Sequence, residues 1–297
     1  MTRLSTRRLL ATVAALGCAA CSDGNAPTPH LRPVGRIAFQ MRKDWVWDIY
    51  TTAPDGSDLK NLTNSAEDDL RPAWSVDHTR IAYESATAPA GIWVMNADGT
   101  NKHPILPGYS TQHITWSPDG SRIAFTGSDG SGYKLFVVNA DGTNLRDISS
   151  GIAFPGMPDW SPDGKRIAFA TGGVSNSDII VMSSDGWGIV NLTPNATHSQ
   201  ETDPAWSPDG SRIAFVSTSH NGTNYEVFTM KADGSDWRRV TDVTGLQADD
   251  HQPHWSGDAT QIVFDRSIFP SAQVYTVKLG TGALQAIGQP VSGNASW

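Results

Sequence analysis

Trp206-Ser207-Pro208-Asp209-Gly210-Ser211-Arg212-Ile213-Ala214-Phe215-Val216 is the stretch that decides the fold. Its centre, Pro208-Asp209-Gly210, carries the chemistry of a tight turn. Pro presets φ, Asp bonds its own backbone, and Gly takes the positive φ that closes a hairpin. The flanks read as strands: a short one at 204–207, and a second at 212–216 that is apolar on both faces, as expected of a strand covered from two sides. A variable loop (217–225) leads to a third strand at 226–230. A second turn, Ala232-Asp233-Gly234, then leads to a fourth strand ending at Arg239-Val240-Thr241.

The unit recurs. Trp74, Trp116, Trp160, Trp206, Trp255 and Trp297 are separated by 42, 44, 46, 49 and 42 residues. Trp116 and Trp160 open the same Trp-Ser-Pro-Asp-Gly, while Trp74-Ser75-Val76-Asp77-His78 and Trp255-Ser256-Gly257-Asp258-Ala259 are degenerate copies. A period in the forties with four strands per unit is the mark of a β-propeller. No apolar stripe of helical period appears outside the N-terminal segment. The array enters on a second strand, Arg36-Ile37-Ala38-Phe39, and reaches the tryptophan of a first strand at Asn294-Ala295-Ser296-Trp297. The expectation is therefore an all-β, six-bladed propeller over 35–297, with the C-terminal residues supplying the innermost strand of the blade begun at Arg36. Such closure leaves no raw sheet edge at the seam.

The repeat, Pro-x-Trp-Ser-Pro-Asp-Gly followed by Ile-Ala-Phe and a strand ending in Asp-Gly, resembles that of the TolB-type propeller family. The resemblance covers roughly 35–297 and implies the propeller fold. The family's namesake carries an additional α/β domain before its propeller, whereas about a dozen residues (22–34) precede the first strand here.

Residues 1–21 read as a targeting segment. Arg3, Arg7 and Arg8 form a basic head, and 9–20 is an Ala-rich apolar run too short to span a bilayer. Cys18 and Cys21 close that run, and 22–34 reads as a flexible tether. The arrangement resembles a bacterial lipoprotein signal, which implies lipidation of a cysteine, Cys21 being preferred and Cys18 the alternative. Plain secretion after cleavage near Ala20 is the other reading, and Ser5-Thr6-Arg7-Arg8-Leu9 partly resembles a twin-arginine export signal. The expected location is the periplasm or cell envelope. Beyond Cys21 the chain has no cysteine, so neither disulfides nor thiolate chemistry are available to the array.

The formal net charge is −8, and removing the three leader arginines leaves 19 basic against 30 acidic side chains, or −11. An acidic surface argues against nucleic acid or anionic lipid as partner. The repeated turns should form one structural face. The loops between second and third strands (41–47, 85–91, 127–133, 172–178, 217–225, 266–273), together with those entering each tryptophan strand, should open on the other face, around the channel mouth. Binding residues favour variable loops on a rigid scaffold.

The loops entering the tryptophan strands carry Glu67, Asp68, Asp69, Gln112, His113, Asp159, His198, Glu201, Asp203, Asp249, Asp250, His251, Gln252 and His254. Around the axis these would form an acidic, histidine-containing ring able to hold a basic peptide or a divalent cation, with His113, His251 and His254 the metal candidates. The competing reading makes the acids loop caps that bond neighbouring amides. Trp45, outside any strand pattern, is the aromatic expected to be exposed; Trp47, Tyr109, Tyr133, Tyr225 and Phe269 share its face. Gly-x-Ser-x-Gly, His-Glu-x-x-His, a phosphate loop and a dinucleotide fingerprint are all absent from the sequence. The leading expectation is a monomeric, lipid-anchored scaffold without a cofactor, docking a protein or peptide of the envelope on its loop face. The alternatives are a metal-assisted polysaccharide lyase or hydrolase, for which His251-Gln252-Pro253-His254 faintly resembles the ligand set of oligogalacturonate lyases, and a sugar or solute sensor.

Overall fold

The computed structural model describes residues 35–296 apart from 129, 131, 150, 174–175, 195–198, 219–223, 244–247, 269–270 and 288–291. Cys18, Cys21, His198, Phe269 and Trp297 therefore lie outside the described residues. All regular structure among those described is β, in six four-stranded antiparallel sheets. From channel to rim, blade 1 is Ser292–Ser296, Ile37–Lys43, Val46–Thr52 and Lys60–Asn61. Blades 2 to 6 begin at the inner strands Asp69–Trp74, Ser110–Trp116, Gly156–Trp160, Glu201–Trp206 and Ala248–Trp255, and each runs outward in chain order. The closure expected from the sequence is present. Ser292–Ser296 pairs antiparallel with Ile37–Lys43, Ala38 opposite Ser296 and Met41 opposite Ser292.

The Ile-Ala-Phe run explains the packing. Ile37, Ile81, Ile123, Ile167, Ile213 and Ile262 are fully buried, as are Phe39, Phe125, Phe169, Phe215 and Phe264, with Tyr83 at the same position of blade 2. Both faces of these second strands are covered because six apolar clusters lie between blades rather than within them. Ala73 and Ile92 of blade 2, for instance, pack with Trp116 and Phe125 of blade 3, and Val263 and Ile287 of blade 6 pack with Phe39 and Ala295 of blade 1. That last cluster seals the ring.

The turn aspartates are structural. In each Trp-Ser-x-Asp turn the serine hydroxyl donates to the Asp carboxylate (Ser117 to Asp119 at 2.6 Å, Ser207 to Asp209 at 2.6 Å), which also accepts the amide two residues on. The degenerate copies build the same turn, with His78 (φ 54°) and Ala259 (φ 57°) in the left-handed conformation that Gly210 (φ 69°) takes elsewhere.

Over three of the indoles lies the arginine that opens the preceding blade's second strand. Arg80, Arg122 and Arg166 stand 4.5, 4.7 and 4.6 Å above the rings of Trp116, Trp160 and Trp206. Arg36 and Arg212 behave differently: they bond the carboxylate and main chain of Asp58 and Asp236, two residues beyond a turn glycine. Where that position is Asn101, Asn144 or Gly188, the guanidinium has no carboxylate there and lies on the indole instead.

The loops between second and third strands in blades 1, 4 and 6 are tighter than the sequence suggests, while those of blades 2 and 5 keep about the expected length. In blade 1 the pairing runs to Lys43 opposite Val46, so 41–47 shrinks to a two-residue hairpin with Asp44 (φ 51°) and Trp45 (φ 72°) at its tip. In blade 4 it runs to Gly173 opposite Asn176. Two positive φ values in a row give the turn the twist that matches its strands.

Candidate binding site at the channel mouth

Every described inner strand of blades 2 to 6 breaks register at one repeat position. The residue three before the tryptophan (Arg71, His113, Met157, Asp203, Gln252) has φ between 50° and 56°. The pairing slips around each of them, for example between Thr202 and Ala205 and between His251 and His254. A bulge re-aims its side chain, and the five bulged residues line the channel together with Thr115, Asp159 and His254 one position before their tryptophans. Proline follows the bulge at 72, 158, 204 and 253. The innermost strand has an unpaired edge toward the axis, where the missing N–H costs no ladder bond.

Asp203 is the centre of this set. It is 6 % exposed; Oδ2 accepts the Gln252 amide at 2.9 Å and lies 3.9 Å from His251 Nδ1, while Oδ1 has no hydrogen-bond partner among the described residues. His254, from blade 6, is held neutral: burial lowers its pKa from 6.5 to about 4, Asp203 pulls it upward and His113 pushes it lower. Burial also lowers the pKa of His113, again against the pull of Asp203. Arg71 is ion-paired with Glu84. Asp159 accepts the Thr115 hydroxyl at 3.1 Å and the Trp206 amide at 2.6 Å. The channel thus offers a carboxylate oxygen and neutral imidazoles beside a guanidinium that is already paired. That combination suits a ligand that donates hydrogen bonds or carries positive charge. Among the described residues, no group of three or more His, Cys, Asp or Glu is placed to hold a metal ion.

Of the ring read from the sequence, His113, Asp159, Asp203, Gln252 and His254 face the channel. Other described members go elsewhere. Asp68 and Asp249, both six positions before a tryptophan, accept the amides of Trp47 (2.9 Å) and Tyr225 (3.0 Å) in the preceding blade. Asp69, Glu201 and Asp250, one position later, are buried. Asp250 forms a two-pronged bond with Arg266 (2.6 and 2.8 Å), and Glu201 accepts the Ser217 hydroxyl at 2.8 Å. Burial raises the carboxyl pKa of Asp69 and of Glu201. Glu67 is exposed at the loop, and His251 lies against the Tyr225 ring, centroids 5.1 Å apart.

Trp45 is 82 % exposed, with the Arg42 guanidinium 4.7 Å over its ring, and Tyr133 is 45 % exposed. Tyr109 packs edge-on against Phe125 and Phe136. Sequence reasoning missed Arg71, Thr115 and Met157 as channel residues. The signal was their fixed distance from the tryptophan.

The family described as the TolB beta propeller domain matches residues 47–201 and 131–296. The chain belongs to the TolB beta propeller domain family. The Tol-Pal system protein TolB of Anaeromyxobacter dehalogenans strain 2CP-C is 32% identical over 124 residues, 41% of this chain and 29% of that protein. A protein TolB homolog of Chlorobium luteolum is 30% identical over 115 residues, 38% and 26% of the two chains. This TolB-type propeller therefore spans less than a third of the length of those curated relatives. The crystal structure of TolB from Acinetobacter baumannii superposes with a TM-score of 0.75 at 20% identity, over 89% of this chain and 66% of that one, a likeness of fold.

Proposed function

We propose that the protein is an exported scaffold that docks a protein or peptide partner of the cell envelope at the loop-face mouth of its channel. The carrying observation is Asp203, whose buried carboxylate keeps one oxygen without a partner beside two imidazoles. A buried acceptor left unmade costs about 1–3 kcal/mol, which a donor from a ligand recovers. A lysine ammonium or peptide amide entering the mouth would supply that donor. Trp45, exposed at a hairpin tip on the same face, offers the kind of aromatic anchor that dominates peptide interfaces. The A. dehalogenans relative is named for the Tol-Pal system, which supports an envelope partner. Residues 1–21 would direct export, Cys21 or Cys18 would carry lipid, and 22–34 would tether a monomeric propeller to the membrane.

Photo-crosslinking in intact cells tests the docking face. A photoreactive residue at position 45 or 133 should capture one envelope protein, and capture from 45 should fall at least fivefold with Asp203→Asn. A probe at position 98, on the turn face, should not capture it. Equal capture from 45 and 98, or indifference to Asp203→Asn, would sink the reading. Labelling with a fatty-acid analogue, lost in Cys21→Ala or Cys18→Ala, tests the anchor.

A further inference from the structure

On the turn face, far along each blade from the loop mouth, two devices close several of the seams between blades, and the seam between blades 5 and 6 has neither among the described residues. The first is the arginine lid. Arg212 is drawn away to Asp236 (Nη1 to Oδ2, 2.9 Å; Nη2 to the main-chain oxygen, 2.7 Å), so Trp255, 9% exposed, has no such lid. In the other seam whose arginine is withdrawn, His78 covers Trp74 with ring centroids 5.5 Å apart; here that position is Ala259. The second device is the turn between third and fourth strands. Gly99, Gly142 and Gly234 press on the preceding blade so closely that an added Cβ would stand 2.9, 2.0 and 2.7 Å from the carbonyl oxygens of Leu62, Ile105 and Leu192. Blade 6 instead turns through Leu279-Gly280-Thr281-Gly282, closed by the Gly282 amide on the Lys278 oxygen, one residue wider than the Gly99-to-Asn96 bond. A Cβ at Gly280 or Gly282 would meet nothing within 4 Å.

The seam consequently opens into a groove of about 520 Å³, within the range of small-molecule sites. Trp255, Val240, Val277 and Leu279 give it an apolar floor, and Trp255 is the most exposed of the five described blade indoles. Its wall carries Arg212, Arg238, Arg239 and Lys278, with Asp209 in the lining and Asp236, Asp242 and Glu226 paired to the three guanidinium groups. Arg238 is paired with Asp236 and Arg239 with Asp242, but Lys278 has no ion-pair partner among the described residues. In a protein of net charge −8, Lys278 thus stands at the groove as a cation that no carboxylate among the described residues neutralises.

We propose that the groove between blades 5 and 6 is a binding site for a small amphipathic anion, an aromatic or branched apolar body carrying a carboxylate. The body would lie on Trp255 and Leu279, and the carboxylate would meet Lys278 and the exposed guanidinium of Arg238, charge-assisted bonds about twice as strong as neutral ones. The site is independent of the loop mouth, so it stands or falls apart from the docking function.

The test uses the full chain and 2-naphthoate, with neutral 2-naphthamide as control, followed by calorimetry. Saturable binding of the carboxylate is expected, with the amide at least tenfold weaker. Lys278→Glu combined with Arg238→Glu, both exposed positions that leave the core intact, should weaken naphthoate tenfold or more. Ala259→Leu, which fills the space over the indole, should do the same, and the charge-matched control Lys60→Glu on blade 1 should not. Absence of saturable binding, equal affinity for the amide, or unchanged affinity in the double charge variant overturns the proposal. If Ala259→Leu fails to fold, the double charge variant decides alone.

Discussion

Arg80 of blade 2 lies 4.5 Å above the ring of Trp116 of blade 3, and the pair ties neighbouring sheets together. The same arginine donates to the Gly120 carbonyl at 2.8 Å, so it holds both the indole and the turn beside it. Replacing Arg80 by Ala removes a partly desolvated cation–π contact and its apolar stem. A loss of about 1–3 kcal/mol is expected by denaturant titration. Arg80→Met, which keeps the stem over the ring, should recover part of it. If Arg80→Ala melts like the parent, the stacking contributes nothing to inter-blade cohesion.

Asp250 and Arg266 form the most buried ion pair among the described residues, with side chains 0% and 5% exposed. Each neutralises a charge that could not otherwise remain in the seam between blades 5 and 6. Asp250→Ala strands the guanidinium and should cost about 3–5 kcal/mol, whereas a joint Asp250→Leu and Arg266→Met exchange should recover most of it. The measurement is again the unfolding midpoint. A single variant within about 1 kcal/mol of the parent would show that water enters this seam.

His254 makes stability depend on pH. Its pKa in the fold, about 4, is below the unfolded 6.5, so the unfolded chain takes up the proton first as pH falls. The stabilisation is complete above pH 6.5 and is lost between 6.5 and 4, by at most about 3 kcal/mol. His254→Gln should flatten the melting temperature across that window relative to the parent. Parallel curves for the two proteins would mean that the channel keeps the ring hydrated.

Removing residues 294–297 takes away the Ser296–Ala38 pairing and the buried Ala295. It opens the seam between the first and last blades and exposes the edge of Ile37–Lys43. The truncated protein should melt more than about 5 °C below the parent. Equal melting curves would show that the ring holds without its innermost closing strand.

Trp45, at the hairpin tip, touches chiefly Arg42. Trp45→Ala should leave stability within about 0.5 kcal/mol of the parent. It should nonetheless reduce partner capture through position 133 several-fold. A variant that captures as well as the parent would remove the ring from the docking face.

Blade number, strand order and ring closure were legible because they rest on local signals repeated along the chain. Turn chemistry recurs with each tryptophan, and the apolar Ile-Ala-Phe run can be satisfied only between two covering sheets. The channel residues were only partly legible. Alternation along a strand assigns a face by counting in twos, and the bulge three residues before each tryptophan breaks that count. Arg71, Thr115 and Met157 therefore stand on the channel marked in the sequence only by their distance from a tryptophan, while Asp68, Asp249 and Asp250 turn from it to amides and a guanidinium.

By itself, then, the order of residues determined a closed circle of six sheets, since each blade carries its own turns and its own core residues. Only the tertiary structure decided what the acids do and where the seams open. Those outcomes depend on partners some 15 to 50 residues away, such as Gln252 for Asp203 and Asp236 for Arg212. A polar side chain takes whichever partner the neighbouring strand or blade brings within hydrogen-bond reach, and that neighbour exists only once the ring is assembled.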